Sequence, residues 1–167
     1  MTLSTDIYLT KYIPAEMVMQ KLIEIINFPD YKYDVQYDKL VGEVGQGAWA
    51  WLFVYHNNGK PIEPADYETN VIGSDEVDKY GDPKIWCPKH YVRIDMDTSY
   101  GAGRGLGFSA SDFHAYVIQE LSKWQLDTEL TFLWQNEFTS EIFEGLDGLA
   151  DFGDPNRGQL AVGVRNG

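Results

Sequence analysis

Asp95 and Asp97 stand two residues apart in the stretch Tyr91–Thr98, with Arg93 in line. In an extended strand such residues share one face, and paired carboxylates can bind Mg²⁺ or move protons. They can equally make a solvated face whose arginine neutralises its neighbours. No companion motif accompanies them, so the solvated face is the reading adopted. Cys87 and His90 form a second candidate, separated by Pro88 and Lys89. Structural zinc wants four ligands, usually from two such pairs. Cys87 is the only cysteine, and the other histidines are His56 and His114. A Cys–His nucleophile pair needs spatial contact and an orienting group, which local spacing does not supply. Cys87 therefore reads as a small buried filler. No catalytic residue, metal or cofactor is assigned.

The run Gly101-Ala102-Gly103-Arg104-Gly105-Leu106-Gly107 lies between a predicted strand and a predicted helix. Backbone N–H groups at a helix N-terminus can cradle phosphate where glycines permit close approach. The run spells neither G-x-G-x-x-G nor a P-loop. Its Arg104–Gly107 part faintly resembles the pyrophosphate loop of acetyl-coenzyme-A N-acetyltransferases. It lacks the second basic or Gln residue and the further glycine of that motif. Asp95, Asp97 and Asp112 flank it with the wrong charge for a polyphosphate. A flexible strand-to-helix connection is the simpler reading.

One constellation needs no special geometry. Between Trp124 and Asn156 lie eight acids, Asp127, Glu129, Glu137, Glu141, Glu144, Asp147, Asp151 and Asp154, and not one Lys or Arg. Phe132, Trp134, Phe138, Phe143 and Phe152 are interleaved with them. A one-sign segment of that length repels itself and needs either solvent or a positively charged partner. Aromatics beside carboxylates supply the anchors and the steering rim of a polar protein interface. The eight acids are therefore the candidate partner-binding residues. If the aromatics are core, the acids still form a one-signed exposed complement.

The whole composition agrees with such a partner. The chain has 167 residues, 26 acids against 13 Lys and Arg, and a net charge of −13. That surface disfavours nucleic acid and anionic membrane, since phosphate binding needs cations to replace counterions. Acidity also serves solubility alone in many proteins. The hydrophobic fraction is 44 %, enough for a real core, and the length suits one domain over 1–167. One cysteine permits no internal disulfide. The opening residues carry Asp6 and Lys11 and no long apolar run, so a signal peptide is not expected. No stretch reaches the length of a membrane span. Cytoplasm is the expected location.

These residues must be positioned by ordinary elements. Asp6–Thr10 reads as a first strand. Pro14 suits the first turn of a helix, with Glu16 well placed in it. Val18, Leu22 and Ile25, with Met17 and Ile26, make its apolar stripe, and Pro29 ends it at about Asn27. Tyr33, Val35 and Tyr37 alternate with polar residues, and Val41 and Val44 suggest another short strand. Ala48–Tyr55 is apolar almost throughout and is predicted to be covered on both faces. Asn57-Asn58-Gly59 is a turn signal. An irregular acidic insertion spans about 60–88, and Tyr91–Thr98 is an alternating strand. Ser109 with Asp112 is a capping-box-like helix start. Phe113, Val117, Leu121 and Trp124 are that helix's core stripe, leaving His114 exposed or at a boundary. Glu129–Gln135 and Glu141–Glu144 read as strands. The glycine-rich tail, about 153–167, reads as an edge strand through Leu160, Val162 and Val164 or as a fraying end. The order implies an α+β fold, a mainly antiparallel sheet with two helices packed on one face.

Tyr91-Val92-Arg93-Ile94-Asp95, the helix through Ile118 and Leu121, and Leu130-Thr131-Phe132-Leu133-Trp134-Gln135-Asn136-Glu137 together resemble small immunity proteins of bacterial polymorphic toxin systems. The group encoded beside contact-dependent, swarming-inhibition toxins is the most similar. Asp6-Ile7-Tyr8-Leu9 and the Pro-started helix fit the same layout. The resemblance covers about half the chain. The glycine run and the 60–88 insertion depart from it. It implies a cytoplasmic, non-catalytic antidote that occludes a cognate basic toxin, with a nuclease as the expected kind. Two other readings stay open: a phage-type mimic of nucleic acid that blocks a defence protein, and a small acyltransferase using the 101–107 loop.

Overall fold

The computed structural model describes residues 2–26, 32–34, 39–43, 49–63, 88–99, 107–128, 132–136, 142–146 and 148–166. Among them seven strands form one antiparallel sheet: β1 (Thr2–Leu9), β2 (Lys32–Asp34), β3 (Lys39–Glu43), β4 (Trp49–His56), β5 (Val92–Ser99), β6 (Phe132–Asn136) and β7 (Ile142–Glu144). Their spatial order is β2-β3-β4-β5-β1-β6-β7. The helices are α1 (Ala15–Ile26), α2 (Ala110–Thr128), the single turn α3 (Leu149–Phe152) and α4 (Pro155–Asn166). The expected α+β architecture is present.

Side-chain alternation decides which face of the sheet is packed. On β1, Leu3, Thr5, Ile7 and Leu9 are buried; on β5, Val92, Ile94, Met96 and Thr98; on β4, Ala50, Leu52 and Val54. The register brings these into common rows, such as Ile7, Ile94 and Val54, or Thr5, Met96 and Leu52. α1 and α2 close over that face and complete one core cluster. Removing such side chains from water stabilises the fold by roughly 1.5–3 kcal/mol each before entropy is counted.

Each helix start follows from its sequence. The Pro14 carbonyl accepts the N–H groups of Met17 and Val18 at 3.0 and 3.3 Å, opening α1. α1 buries Val18, Met19, Leu22, Ile25 and Ile26. Met17, expected in that stripe, is instead 51 % exposed; Met19, at i+4 from the buried Ala15, turns inward in its place. α2 opens on the expected capping box. The Ser109 N–H donates to Asp112 Oδ2 at 2.8 Å and the Asp112 N–H to Ser109 Oγ at 3.2 Å. The helices meet where the Tyr116 hydroxyl donates to the Ile25 carbonyl at 3.0 Å.

The tail is neither an edge strand nor a frayed end. It forms α4, packed against α2 on the side away from the sheet. Asp154 caps it, its Oδ1 accepting the Asn156 N–H at 3.0 Å, and Pro155 occupies the first helical position. Asp112 ties the two helices together, since its Oδ1 accepts the Asp154 N–H at 2.9 Å. Gly158 permits the close approach: a Cβ there would lie 2.0 Å from the Asp112 carbonyl oxygen. The glycines that suggest looseness in the sequence thus serve packing.

β4 is covered on one face only, not on both, because Trp51 and Tyr55 retain solvent exposure. The Asn57–Lys60 turn follows it, with Asn58 at φ 50° and Gly59 at φ 83°. Two successive positive φ values are what a tight hairpin turn requires, and Asn-Gly is its favoured pair. The chain then passes Ile62, which bridges to His90 through N–H···O bonds of 2.7 and 3.1 Å. Most of the 60–88 insertion, including Cys87, and Gly101–Leu106 lie outside the described residues.

Candidate functional site

The eight acids singled out in the sequence are distributed over several elements. Asp127 lies in the last turn of α2, Glu144 ends β7, Asp151 is in α3 and Asp154 caps α4. Glu129, Glu137, Glu141 and Asp147 lie outside the described residues. Asp154 is fixed to Asp112 at the opposite end of α2 from Asp127. At 1.5 Å per residue, those two ends are about 22 Å apart. Asp151 and Asp154 are exposed, and Asp154 pairs with Arg157 at 3.7 Å. The structure therefore does not bring Asp127 together with Asp151 and Asp154.

A denser constellation occupies the second face of the sheet, where the residues alternate with the core. β4 contributes Trp51, Phe53 and Tyr55; β5 contributes Arg93, Asp95 and Asp97; β1 contributes Ser4, Asp6 and Tyr8. Pairing places them in three rows: Trp51, Asp97, Ser4; Phe53, Asp95, Asp6; and Tyr55, Arg93, Tyr8. The third row continues by register through Leu133 to Glu144. One of the eight acids thus shares a row with Arg93.

The aromatics form a ladder along β4. Trp51 and Phe53 meet edge to face at 6.0 Å between centroids, and Phe53 and Tyr55 are stacked at 6.2 Å. Trp51 is 36 % and Tyr55 40 % exposed. Arg93 crosses the end of the ladder, its Cζ 4.4 Å from the centre of the Tyr55 ring. It also pairs with Asp95, with Nη2 donating to Oδ2 at 3.2 Å and Nε lying 2.9 Å from Oδ1. Ser4 Oγ donates to Asp97 Oδ1 at 2.5 Å.

Asp95 is not on the freely solvated face the sequence suggests. Burial, then the hydrogen bond with Asp6 and the Asp6 charge directly opposite, push its pKa up to about 8. Arg93 opposes this and Asp97 adds to it. Two carboxyl groups facing each other across adjacent strands cannot both shed their protons cheaply. At neutral pH Asp95 therefore keeps its proton, facing Asp6 and next to the guanidinium. Burial also raises the Tyr55 pKa, with the Asp95 charge adding to the effect. The result is a half-desolvated surface of rings, carboxyl groups and a guanidinium, whose rows continue by register to Lys39 opposite Phe53 and to Lys32 beyond Val41, and where electrostatic interactions are stronger than in open water.

One histidine behaves differently from expectation. His114 is fully buried between α2 and the sheet, not exposed or at a boundary. Its Nδ1 lies 2.8 Å from Thr5 Oγ1 and its Nε2 2.6 Å from Thr98 Oγ1. Burial lowers its pKa to about 3, so it is neutral, donating from one nitrogen and accepting at the other. His90 is buried too, with Nδ1 donating to the Pro88 carbonyl at 2.8 Å, and burial lowers its pKa. Among the described residues, no group of three or more His, Cys, Asp or Glu is placed to hold a metal ion. No helix among them is long and apolar enough to cross a membrane.

Sequence reasoning passed over Trp51, Tyr55 and Asp6. The signal for the first two is present: in Ala50–Tyr55 the even positions are aliphatic and the odd positions aromatic. That alternation marks two different faces, not one uniformly buried strand. A cleft of about 210 Å³ at the start of α1, between Tyr12, Tyr91 and His56, is below the roughly 300–1,000 Å³ of a drug-sized ligand site. The broad sheet surface suits a macromolecule better. No protein-family model, no curated protein and no solved structure matches this chain.

Proposed function

We propose that this protein is a non-catalytic inhibitory binding protein, an immunity protein that neutralises a basic toxin of the nuclease kind by docking over it. The observation that carries the reading is the second face of the sheet, where part-exposed Trp51 and Tyr55 stand in register with Asp97 and Arg93, beside the Asp6–Asp95 pair. Large rings at low conformational cost are the usual anchors of protein interfaces, and surrounding carboxylates select and steer a basic partner. The net charge of −13 extends the steering field beyond the contact itself. The acids of the C-terminal third belong to this wider field, and Glu144 shares the Arg93 row by register.

The reading is tested by expressing the product of the neighbouring reading frame with and without this protein. Protection from a toxic product is expected, with formation of a stable complex. Toxicity that persists at equal expression of this protein, or a complex that leaves the toxin active, would overturn it. A host DNA-binding protein inhibited alongside several unrelated ones would instead identify a nucleic-acid mimic.

A further inference from the structure

The cleft of about 210 Å³ lies between the start of α1 and the hairpin turn that follows β4. Tyr12, Tyr91 and His56 contribute rings to its lining, and Glu16 contributes a carboxylate. Tyr12 and Tyr91 stand at 80° to each other with centroids 5.7 Å apart, so the two rings make a corner. That corner is fixed from both sides. The Tyr91 N–H donates to the Leu9 carbonyl at 2.9 Å, which holds the residue beside the end of β1. Gly59 abuts the other ring, since a Cβ there would lie 3.6 Å from Tyr12 Cε2. Tyr12 is thus kept in place although it is 55 % exposed. So exposed a ring gains little from burial, and core packing does not explain its position. Among the described lining residues there is no Lys or Arg, and Lys11 and Lys60, the chain neighbours of Tyr12 and Gly59, do not line the cleft. Glu16 is exposed and pairs with none of the described Lys or Arg residues.

We infer that this cleft binds a quaternary ammonium head group, that of choline or of a trimethylated lysine, against the Tyr12 and Tyr91 rings and beside the Glu16 carboxylate. Ring faces attract cations, and the attraction grows as the cation loses water. An ordinary ammonium is compact and strongly hydrated, so it leaves water reluctantly. Methyl groups spread the charge, weaken that hydration and pack on the rings. Size agrees: the volume is too small for a drug-sized ligand but admits a head group. The first turn of α1 carries only about half a positive charge, less than the full negative charge of Glu16, so the local field favours a cation over an anion. His56 follows Tyr55 on β4 and so belongs to the opposite face of the sheet from the aromatic ladder. The inference is therefore independent of the docking reading of that face.

The test is an NMR titration of the full chain, at constant ionic strength, with tetramethylammonium, ammonium, choline, a blocked trimethyl-lysine peptide and inorganic phosphate. Tetramethylammonium is expected to shift the Tyr12 and Tyr91 ring signals and the Gly59 amide, and to bind at least about threefold more tightly than ammonium. Tyr12→Leu keeps apolar bulk but removes the ring face, and should weaken binding at least about threefold; Tyr12→Phe keeps the face and should bind as wild type does. Glu16→Gln leaves both rings in place and should weaken binding about twofold or more. Both side chains are exposed, so all three variants should melt near wild type. Saturation by choline as tight as by the peptide supports the inference with a small molecule as the source of the head group. Saturation by the peptide alone supports it with a modified protein as the source. Equal affinity for ammonium, shifts centred elsewhere, unchanged binding by folded Tyr12→Leu and Glu16→Gln, or tighter binding of phosphate would overturn it.

Discussion

The two faces of the same sheet solve opposite problems. The face under α1 and α2 is mainly aliphatic among the described residues, and His114, buried there, is kept neutral between Thr5 and Thr98. The other face carries aromatics, a guanidinium and carboxyl groups, and it keeps Asp95 protonated near neutrality because Asp95 is buried and Asp6 stands opposite. The first arrangement gives both ring nitrogens of its buried histidine a partner. The second holds like charges together and leaves large rings partly in water. A surface that accepts such strain without a packing return fits a site shaped for contact with another molecule.

Truncation should separate the faces most sharply. Phe113→Ala, at a fully buried ring of α2, should lower unfolding free energy by about 3–5 kcal/mol. Tyr55→Ala, on the other face, should lower it by under about 1 kcal/mol. Urea denaturation of both variants checks this, and equal losses would erase the distinction. Gly158→Ala should be the next largest. Alanine is the better helix former by about 1 kcal/mol, yet its Cβ would lie 2.0 Å from the Asp112 carbonyl oxygen. A net loss of about 1–3 kcal/mol is expected as α4 shifts off α2; a gain would mean α4 does not pack as described.

Effects that are smaller per pH unit but more specific come from titration. The folded pKa of His114, about 3, lies below its ordinary 6.5. The unfolded chain therefore binds the extra proton first, and stability falls as pH drops from about 6.5 towards 3, by about 1.4 kcal/mol per unit. His114→Gln, which cannot titrate, should lose that slope, so the difference between variant and wild type should change by it across this window. Asp95 acts in the opposite sense. Its folded pKa, about 8, lies above its ordinary 3.8. Its contribution is present below about pH 4 and is lost as pH rises to about 8. Asp95→Asn should therefore gain stability relative to wild type across that window. Parallel pH dependences for the two variants would contradict the contrast between the faces.

Much of the packed face was legible in the sequence, because its periodicity is strict. Val92–Ser99 alternates without exception, and Ser109 with Asp112 announces the start of α2. His114 was misplaced because a single stripe was assumed for α2. With the sheet on one side and α4 on the other, α2 buries Ala115, Ile118 and Ser122 as well as its stripe, so a residue beside the stripe is not thereby exposed. α4 was hidden by its glycines, although Asp154-Pro155 carries a helix-start signal. The second face was only half legible. Arg93, Asp95 and Asp97 could be placed on one surface, but the partner of Asp95 is Asp6, 89 positions earlier in the chain, and only strand pairing reveals it. The eight acids stood out by their nearness in sequence, and helix length then carries some of them apart.

The most direct test of the central claim is the association rate of the purified proposed partner, the product of the neighbouring reading frame, with the wild type and with a Trp51→Ala/Asp97→Asn double variant, at about 50 mM and about 500 mM salt. The account expects the wild type to bind at least about tenfold faster at the lower salt, and the double variant to dissociate far faster while staying folded. A folded double variant that binds as wild type does, at rates indifferent to salt, would show that the partner docks elsewhere and that the acidic aromatic face is not its site.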